Sequence, residues 1–494
     1  MAGRIVSEKK APEVVEWIMR PFNAGLGEYF GVHLDIHKAH VAMLADRSLV
    51  SRDEARTILG ALNALGDAGA EGMGSNLDTD LYMQMESFVT SKAGDLGGKM
   101  HMGRSRNDLY ACAARLMFRR KLVAIIGDVL ALQQAVLAKA TTHATTVMPG
   151  YTHLQHAEPI TLGHYLVAFF DALDRDVARA WGAYRRTNLN ALGASALSAS
   201  SFDLDRDRTA ALLGFDGLVE NSYDAVAARD YIVEATAMVA TLASTIARVA
   251  DSFIVWSTSE FDMVDLPDGY AYTSSIMPQK RNPGYFLESV RSKSARVSAG
   301  LMGVLMTLKG TTFAQSRDTS FEITVPAFDA FREATAMVNV MRGVIDALIA
   351  KPERMEENCA REFSGATEVA NAIVRERGLP FRSAYKVVAT LVRYAAERKL
   401  RPVDVSPALV DEAALEVLGH GLGLPDAMIH DCLDPSRNVE MKKTVGGPSK
   451  ASVEAMLARR ETLLAASVAA FDARNASLAS ASAALNDAVA TLTG

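Results

Sequence analysis

Ten consecutive residues, Ser274-Ser275-Ile276-Met277-Pro278-Gln279-Lys280-Arg281-Asn282-Pro283, put two hydroxyls, a lysine cation and an amide into one proline-punctuated loop. Removal of a weakly acidic carbon proton needs such a set, a small base beside a cation and hydrogen-bond donors that hold charge as it develops. Two further polar stretches carry complementary groups. His101-Met102-Gly103-Arg104-Ser105-Arg106-Asn107-Asp108 leads into a long apolar-periodic segment. A Ser, an Asn and two Arg at a helix start offer guanidinium forks and orphan backbone N–H groups, a seat for a carboxylate. Tyr151-Thr152-His153-Leu154-Gln155-His156-Ala157-Glu158-Pro159 supplies His153, which titrates near neutrality and can protonate a departing nitrogen, and Thr152, which can hydrogen-bond a carboxylate.

These stretches need a scaffold, and helical periodicity supplies it. Leu109, Leu116, Val123, Leu130 and Leu137 recur every seven residues, which keeps one seam against a packed neighbour. Ala235, Val239, Leu242, Ile246, Val249, Phe253 and Trp256 form a second stripe at alternating four- and three-residue steps. Leu162, Leu166, Phe169, Leu173 and Val177 suggest a third helix, and 285–308 and 326–349 a fourth and fifth. Strand alternation is nearly absent, so the fold class is all-α. Pro149-Gly150 and Pro159 bracket Tyr151 to Glu158, and Pro267, Gly269, Pro278 and Pro283 punctuate the first stretch, which places these motifs in connections between the helices. Composition shifts near 108 and 352 divide the chain into an amino-terminal helical part (1–108), a central bundle (109–352) and a carboxy-terminal helical part (353–494). The final thirty residues or so are Ala/Ser-rich and read as a peripheral helix or a frayed tail.

Bulk properties narrow the class. A chain of 494 residues with a formal charge of −6 can bury a large core and has no basic footprint for nucleic acid. Cys112, Cys359 and Cys432 are scattered, without metal-ligand spacing, and read as reduced and structural. The amino terminus lacks an apolar signal core, and no later stretch runs ~18 apolar residues without charge. The expectation is a cytoplasmic protein with no membrane partner. With no ligand cluster and no phosphate loop, neither a metal nor an organic cofactor is implied.

The first ten-residue stretch resembles the G-S-S-x-M-P-x-K-x-N-P signature of the fumarase/aspartase superfamily, with Thr273 in place of its Gly. His101–Asp108 is similar to the H-T-G-R-S-R-N-D motif of argininosuccinate lyases, with Met102 for Thr, and Tyr151–Pro159 is similar to their G-Y-T-H-x-Q-x-A-Q-P. Asp80, Asn221 to Val226, Arg229-Asp230, Met306 to Gly310, Ala366-Thr367 and Leu379 to Arg382 extend the resemblance over nearly the whole chain. It implies a three-domain subunit with a long central bundle, assembled as a homotetramer whose active sites collect loops from three subunits. The distance in sequence between the three motifs agrees, as would bundle helices whose apolar faces exceed one subunit's needs. It also implies anti β-elimination of an N-substituted L-aspartate to fumarate and an amine. Ser274 would take the Cβ proton, with Ser275 as the rival base. Lys280 and Asn282 would stabilise the aci-carboxylate, and His153, oriented by Glu288, would protonate the leaving nitrogen. Ser105, Arg106, Asn107 and Thr152 would hold a carboxylate of the fumarate half. Glu288 lies eight residues after Lys280 where seven are expected, so Gly284-Tyr285-Phe286-Leu287 carries one extra residue.

The amine half departs from the argininosuccinate lyase pattern. Where those enzymes follow Met-Thr-Leu-Lys-Gly with Y-N-x-D-x-Q-E-D-K, this chain has Gln315 for the Tyr, Ser320 for the Gln and Ile323 for the Lys. Gly25 and Tyr29 stand where a Ser and an Asp are expected, within Phe22-Asn23-Ala24-Gly25 to Tyr29, and Ala227-Ala228 lacks a usual Ser and acidic residue. An Ile cannot pair with a charged amino acid, and a buried polar group left without a partner costs ~1–3 kcal/mol. Three readings follow: a lyase for an N-substituted aspartate other than argininosuccinate, an authentic argininosuccinate lyase with a diverged pocket, or a non-catalytic crystallin-like relative. Retention of Thr152, His153, Ser274, Lys280 and Asn282 argues against the last.

Overall fold

The computed structural model describes residues 10–20, 26–73 and 79–494. Phe22 to Gly25, and with them the Gly25 substitution, lie outside the described residues. An amino-terminal group contains α1 (Leu26–Asp46), α2 (Arg52–Ala68) and α3 (Leu81–Ala93). Next come α4 (Arg106–Thr142), a hairpin of β1 (Val147–Thr152) and β2 (Gln155–Thr161), and α5 (Leu162–Thr187). Two short helices, α6 (Arg206–Leu213) and α7 (Ser222–Ala227), precede α8 (Asp230–Trp256). Strand β3 (Val264–Asp265) is followed by β4 (Tyr272–Thr273) and β5 (Arg281–Asn282), which pair antiparallel with each other. Then α9 (Tyr285–Lys309), α10 (Thr324–Ala347) and β6 (Ile349–Ala350) complete the centre, β6 pairing with β3. The remainder is α11 (Pro352–Arg361), α12 (Ala366–Arg377), α13 (Phe381–Glu397), α14 (Pro407–Leu418), α15 (Asp426–Leu433), α16 (Pro435–Met441) and α17 (Lys450–Thr493).

All five periodic segments are helices, and their stripes meet in one bundle core, except that Leu109 and Leu116 at the start of α4 pack into the amino-terminal core. On α4, Leu109, Leu116, Leu130 and Leu137 are buried and Val123 is half-buried; full burial of each such side chain is worth about 1.5–3 kcal/mol. Side-chain bonds fix the helix directions. Arg115, early in α4, donates to the carbonyls of Arg186 (3.0 Å) and Thr187 (3.3 Å) at the end of α5. Arg186 binds Glu234 in the second turn of α8 (Nε–Oε2 2.6 Å). Arg291, early in α9, pairs with Asp251 near the end of α8 at 2.7 Å. Lys139 of α4 reaches the carbonyls of Asp346 and Leu348 (3.1 and 3.0 Å), so α10 runs parallel to α4.

The result is an up-and-down bundle of α4, α5, α8, α9 and α10. One end, the near end, gathers residues 105–115, 187–230 and 310–323, and the far end gathers 143–161, 257–284 and 348–352. By length and composition α4 and α8 could each cross a membrane, but here both are bundle helices, and α4 carries buried Asp108, Arg115 and Arg119. Only Leu287, Val290, Val297 and Val304 of α9 are buried, leaving Met302, Leu305 and Met306 exposed on its other face.

The Ala/Ser-rich end is an ordered helix, not a frayed tail. His164 contacts the Gly446 carbonyl (2.9 Å) at the far end, and 44-residue α17 then runs back until the Thr491 carbonyl accepts from Arg52 at 2.8 Å. Leu485 and Val489 enter the amino-terminal core. Midway, Phe471 lies so close to α4 that a Cβ on Gly127 would meet its ring at 2.8 Å. All three cysteines are buried and free, in keeping with a structural role.

Candidate active site

At the near end Ser105, Arg106 and Asn107, the residues expected to hold a carboxylate, are locked by their own neighbours. Ser105 caps α4: its Oγ accepts from the Asn107 amide (3.3 Å), and Asp108 reaches back to the Ser105 amide (3.0 Å), the reciprocal arrangement that satisfies orphan donors at a helix start. Asp108 also accepts from the amides of Gly193 (2.9 Å) and Ser195 (3.0 Å). Burial pushes its carboxyl up to about 6, against the opposing effects of Arg104 and these amides. Arg106 pairs with Asp80 at 2.7 Å, and the Asn107 NH2 donates to the Ala196 carbonyl at 3.0 Å. Asp80 in turn caps α3 by accepting from the Met83 amide at 2.9 Å.

Behind this seat lies a group that the sequence reading did not single out. His33, His37 and His40 follow one another on one face of α1 and are buried. The guanidinium of Arg104 lies 2.7 Å from His37 Nδ1, and His40 Nε2 lies 2.9 Å from the Met102 carbonyl. Burial, and then Arg104, hold His33 down at about 3 and His37 and His40 well below the ordinary range, so all three are neutral. The four- and three-residue spacing of three histidines was the available signal.

Gln315 is at the near end too. Its carbonyl oxygen accepts from Arg229 (2.9 Å), and its NH2 donates to Ser320. Arg229 is buried and also binds the carbonyls of Thr319 and Ala228, both at 2.5 Å. Ile323 is in the core and Tyr29 stacks on Phe328, centroids 6.0 Å apart. The side chains at positions 315, 320 and 323 are thus occupied with the protein itself.

The far end is built differently. Thr152 and Gln155 pair across a two-residue hairpin whose central residues, His153 and Leu154, have φ of 55° and 60°. A type I′ turn needs positive φ at both centres, usually met by Asn-Gly, so Leu154 there is strained. His153 and Leu154 are exposed. Below them, Tyr151, Thr152, His153 and Glu158 share a cavity of about 840 Å³ with Arg248, Asp251 and Trp256 of α8.

The signature loop is a second hairpin, closed by the β4–β5 ladder and by Ser274 N–H to the Lys280 carbonyl (3.3 Å). Within it, Ser274 Oγ accepts from the amides of Met277 (3.0 Å) and Ile276 (3.3 Å). Asn282 Oδ1 accepts from the Gly284 amide (3.0 Å), which leaves its NH2 to donate elsewhere. Arg281 anchors the outgoing strand through Asp265 (2.7 Å) and Asp268 (2.8 Å). Ser275 and Lys280 are exposed, and among the described residues Lys280 makes no ion pair. Glu288 is exposed in the first turn of α9.

One chain does not bring these groups together. Ser105 and the His153 hairpin flank opposite ends of a 37-residue helix, about 55 Å at 1.5 Å per residue. A four-carbon dicarboxylate spans a small fraction of that. At the far end, no signature-loop residue lines the cavity beside His153.

Comparison with known proteins gives these ends their context. A family profile described as "Lyase" matches residues 23–299, and one described as "Argininosuccinate lyase C-terminal" matches 363–440. The argininosuccinate lyase of Methanosarcina barkeri is 38% identical over 439 residues, 88% of this chain and 87% of that protein. The structure of an EDDS lyase variant with bound fumarate superposes with a TM-score of 0.88 at 35% identity, covering 99% of this chain and 97% of that one. A class II fumarase from Schistosoma mansoni, 17% identical with a TM-score of 0.70, shares the fold, with 89% of this chain and 96% of that one covered. Fold and sequence together define an all-α member of the fumarase/aspartase superfamily. Within it the chain belongs to the argininosuccinate lyase family, and it is a carbon–nitrogen lyase.

Proposed function

We propose that the enzyme catalyses reversible anti β-elimination of an N-substituted L-aspartate, giving fumarate and an amine other than arginine. The observation that carries the reaction is the Ser274 hairpin, where two amides converge on one hydroxyl oxygen. Preorganised donors favour the alkoxide that a serine base must become, and one such donor is commonly worth ~2.7–4 kcal/mol of barrier. Ser274 takes the Cβ proton, and Lys280 with the Asn282 NH2 stabilises the resulting aci-carboxylate. His153, with Glu288 as its orienting partner, protonates the departing nitrogen. Ser105, Arg106, Asn107 and Thr152 hold the carboxylates, and Ser275 lies beside the base. Loss of the Cβ proton and of the C–N bond leaves the fumarate double bond, so no redox partner is needed.

The amine assignment rests on the near end. Gln315 and Ser320 are neutral, and Ile323 is apolar and in the core, so none of the three offers a charge to pair with a guanidino-amino acid. The similarity to EDDS lyase supports this reading. The 38% identity to an argininosuccinate lyase supports the second reading, an authentic argininosuccinate lyase. Fumarate absorbance decides between them: argininosuccinate should release little fumarate, whereas fumarate should be consumed with some members of an amine panel. Rapid arginine release would establish the second reading.

The same reading makes the protein a cytoplasmic homotetramer with shared sites. The separation of about 55 Å between the seat and His153 supports it, because a near end can meet a far end only from another chain. The exposed face of α9 supplies apolar surface for that contact. It also divides the chain at residues 108 and 352, with α17 returning along the bundle. Sedimentation should give four chains; an active monomer would end the shared-site reading.

A further inference from the structure

Two residues ahead of Ser274 and three beyond Asn282 lie aromatic rings that the elimination chemistry leaves unused. Tyr272 of β4 stacks face to face on Tyr285 in the first turn of α9, with centroids 4.4 Å apart and 17° between planes. Phe286 meets both edge-on, 6.3 Å from Tyr272 and 5.2 Å from Tyr285. The three are 54%, 39% and 38% exposed, so they do not belong to the bundle core. They join the strand that enters the catalytic hairpin to the helix that leaves it, and two of them lie in the segment that carries the extra residue.

A ladder of two residue pairs does not hold a hairpin by itself. Arg281 fixes the outgoing strand through Asp265, Asp268 and the Leu266 carbonyl. The incoming strand is tied to α9 by the rings, and aromatic pairs stabilise beyond the area that they bury. We propose that Tyr272, Tyr285 and Phe286 are positioning residues, a ring clasp that keeps the hairpin closed with the Ile276 and Met277 amides on Ser274 Oγ. This rests on Ser274 as the base. The clasp acts through the rings and needs neither tyrosine hydroxyl.

The test compares Tyr285→Ala with Tyr285→Phe in steady-state kinetics across pH, using whichever amine the panel identifies. Removing the stack shifts the hairpin towards an open form, so kcat should fall about tenfold. In the elimination direction, with the aspartate adduct of that amine as substrate, the acid limb of the kcat profile should move up by about one pH unit as the alkoxide loses its amides. KM for fumarate should change less than kcat, because Ser105, Arg106 and Asn107 lie at the other end of the bundle and are untouched by the rings. Tyr285→Phe should keep kcat within about twofold and the limb in place. A structural defect alone would lower the melting temperature without moving the limb. Tyr272→Ala removes the same stack from the strand side and repeats the measurement should Tyr285→Ala not fold. The clasp is overturned if the alanine variant keeps both kcat and the limb, or if the phenylalanine variant loses as much as the alanine variant. Ser274→Ala separates the two readings: near-normal turnover there removes the serine base, whereas an inactive Ser274→Ala beside an unaffected Tyr285→Ala removes only the clasp.

Discussion

The two ends of the bundle carry polar residues of similar kinds and treat them oppositely. At the near end Ser105, Arg106, Asn107 and Gln315 each have a protein partner, and neutral histidines and a buried Arg229 lie close behind. At the far end His153, Ser275 and Lys280 are exposed on hairpins, and two backbone amides of the signature loop converge on Ser274 Oγ. A seat that binds a carboxylate gains from rigidity, since ordering is then complete before substrate arrives. Groups that transfer protons must instead be presented to a substrate carried by another surface. On the proposed reading, the near end of one chain supplies rigid carboxylate contacts, and the far end of another supplies the proton-transfer groups together with Thr152.

Four measurements can break or sharpen this contrast. Ser274→Ala should have the largest effect, a fall in kcat of about 10³-fold or more with KM little altered, because an interaction of the transition state is lost. Near-normal turnover with an intact fold would refute the base assignment. His153→Asn should lower kcat about 10²-fold or more for a basic amine, and less for an amine that leaves easily without protonation. Equal losses for both amines would exclude His153 as the acid. Asn107→Ala, on the binding side, should raise KM for fumarate about tenfold with a smaller change in kcat; the reverse pattern would put chemistry at the near end.

The smallest effect at neutral pH concerns the buried histidines. Their folded pKa values lie below the ordinary 6.5, so as pH falls below about 6.5 the unfolded chain takes protons that the native chain refuses. Stability is therefore complete above that value and is lost on acidification, by up to about 1.4 kcal/mol per pH unit for each histidine. Urea midpoints should decline between pH 7 and 5, and His33→Asn should flatten the slope. A midpoint independent of pH would contradict the neutral, buried assignment.

The bundle was legible because Leu109 to Leu137 and Ala235 to Trp256 repeat at spacings that only a helix turns into one face. The Tyr151 and Ser274 stretches were legible as motifs in proline-bounded connections, and both are hairpins. Other features were not. Helix α17 lacks a continuous stripe of large residues and is docked at separated points, through Leu464, Phe471, Leu485 and Val489. The His153 turn has neither Asn nor Gly to announce its positive φ. The pairing of Gln315 with Arg229 joins residues 86 positions apart, beyond the reach of local pattern. Most important, the spacing of motifs along the chain does not reveal that Ser105 and His153 face opposite ends of the bundle; that follows from helix length and direction.

The central claim is that the near end of one chain and the far end of another complete each site. Mixing two inactive proteins tests it most directly: Asn107→Asp, whose added carboxylate repels the substrate, and Ser274→Ala, which lacks the base. After co-refolding, hybrids should contain some sites with the intact Asn107 of one chain and the intact Ser274 of the other, and turnover should reappear. Hybrids that form, as shown by native mass spectrometry, yet remain inactive at every mixing ratio would contradict it.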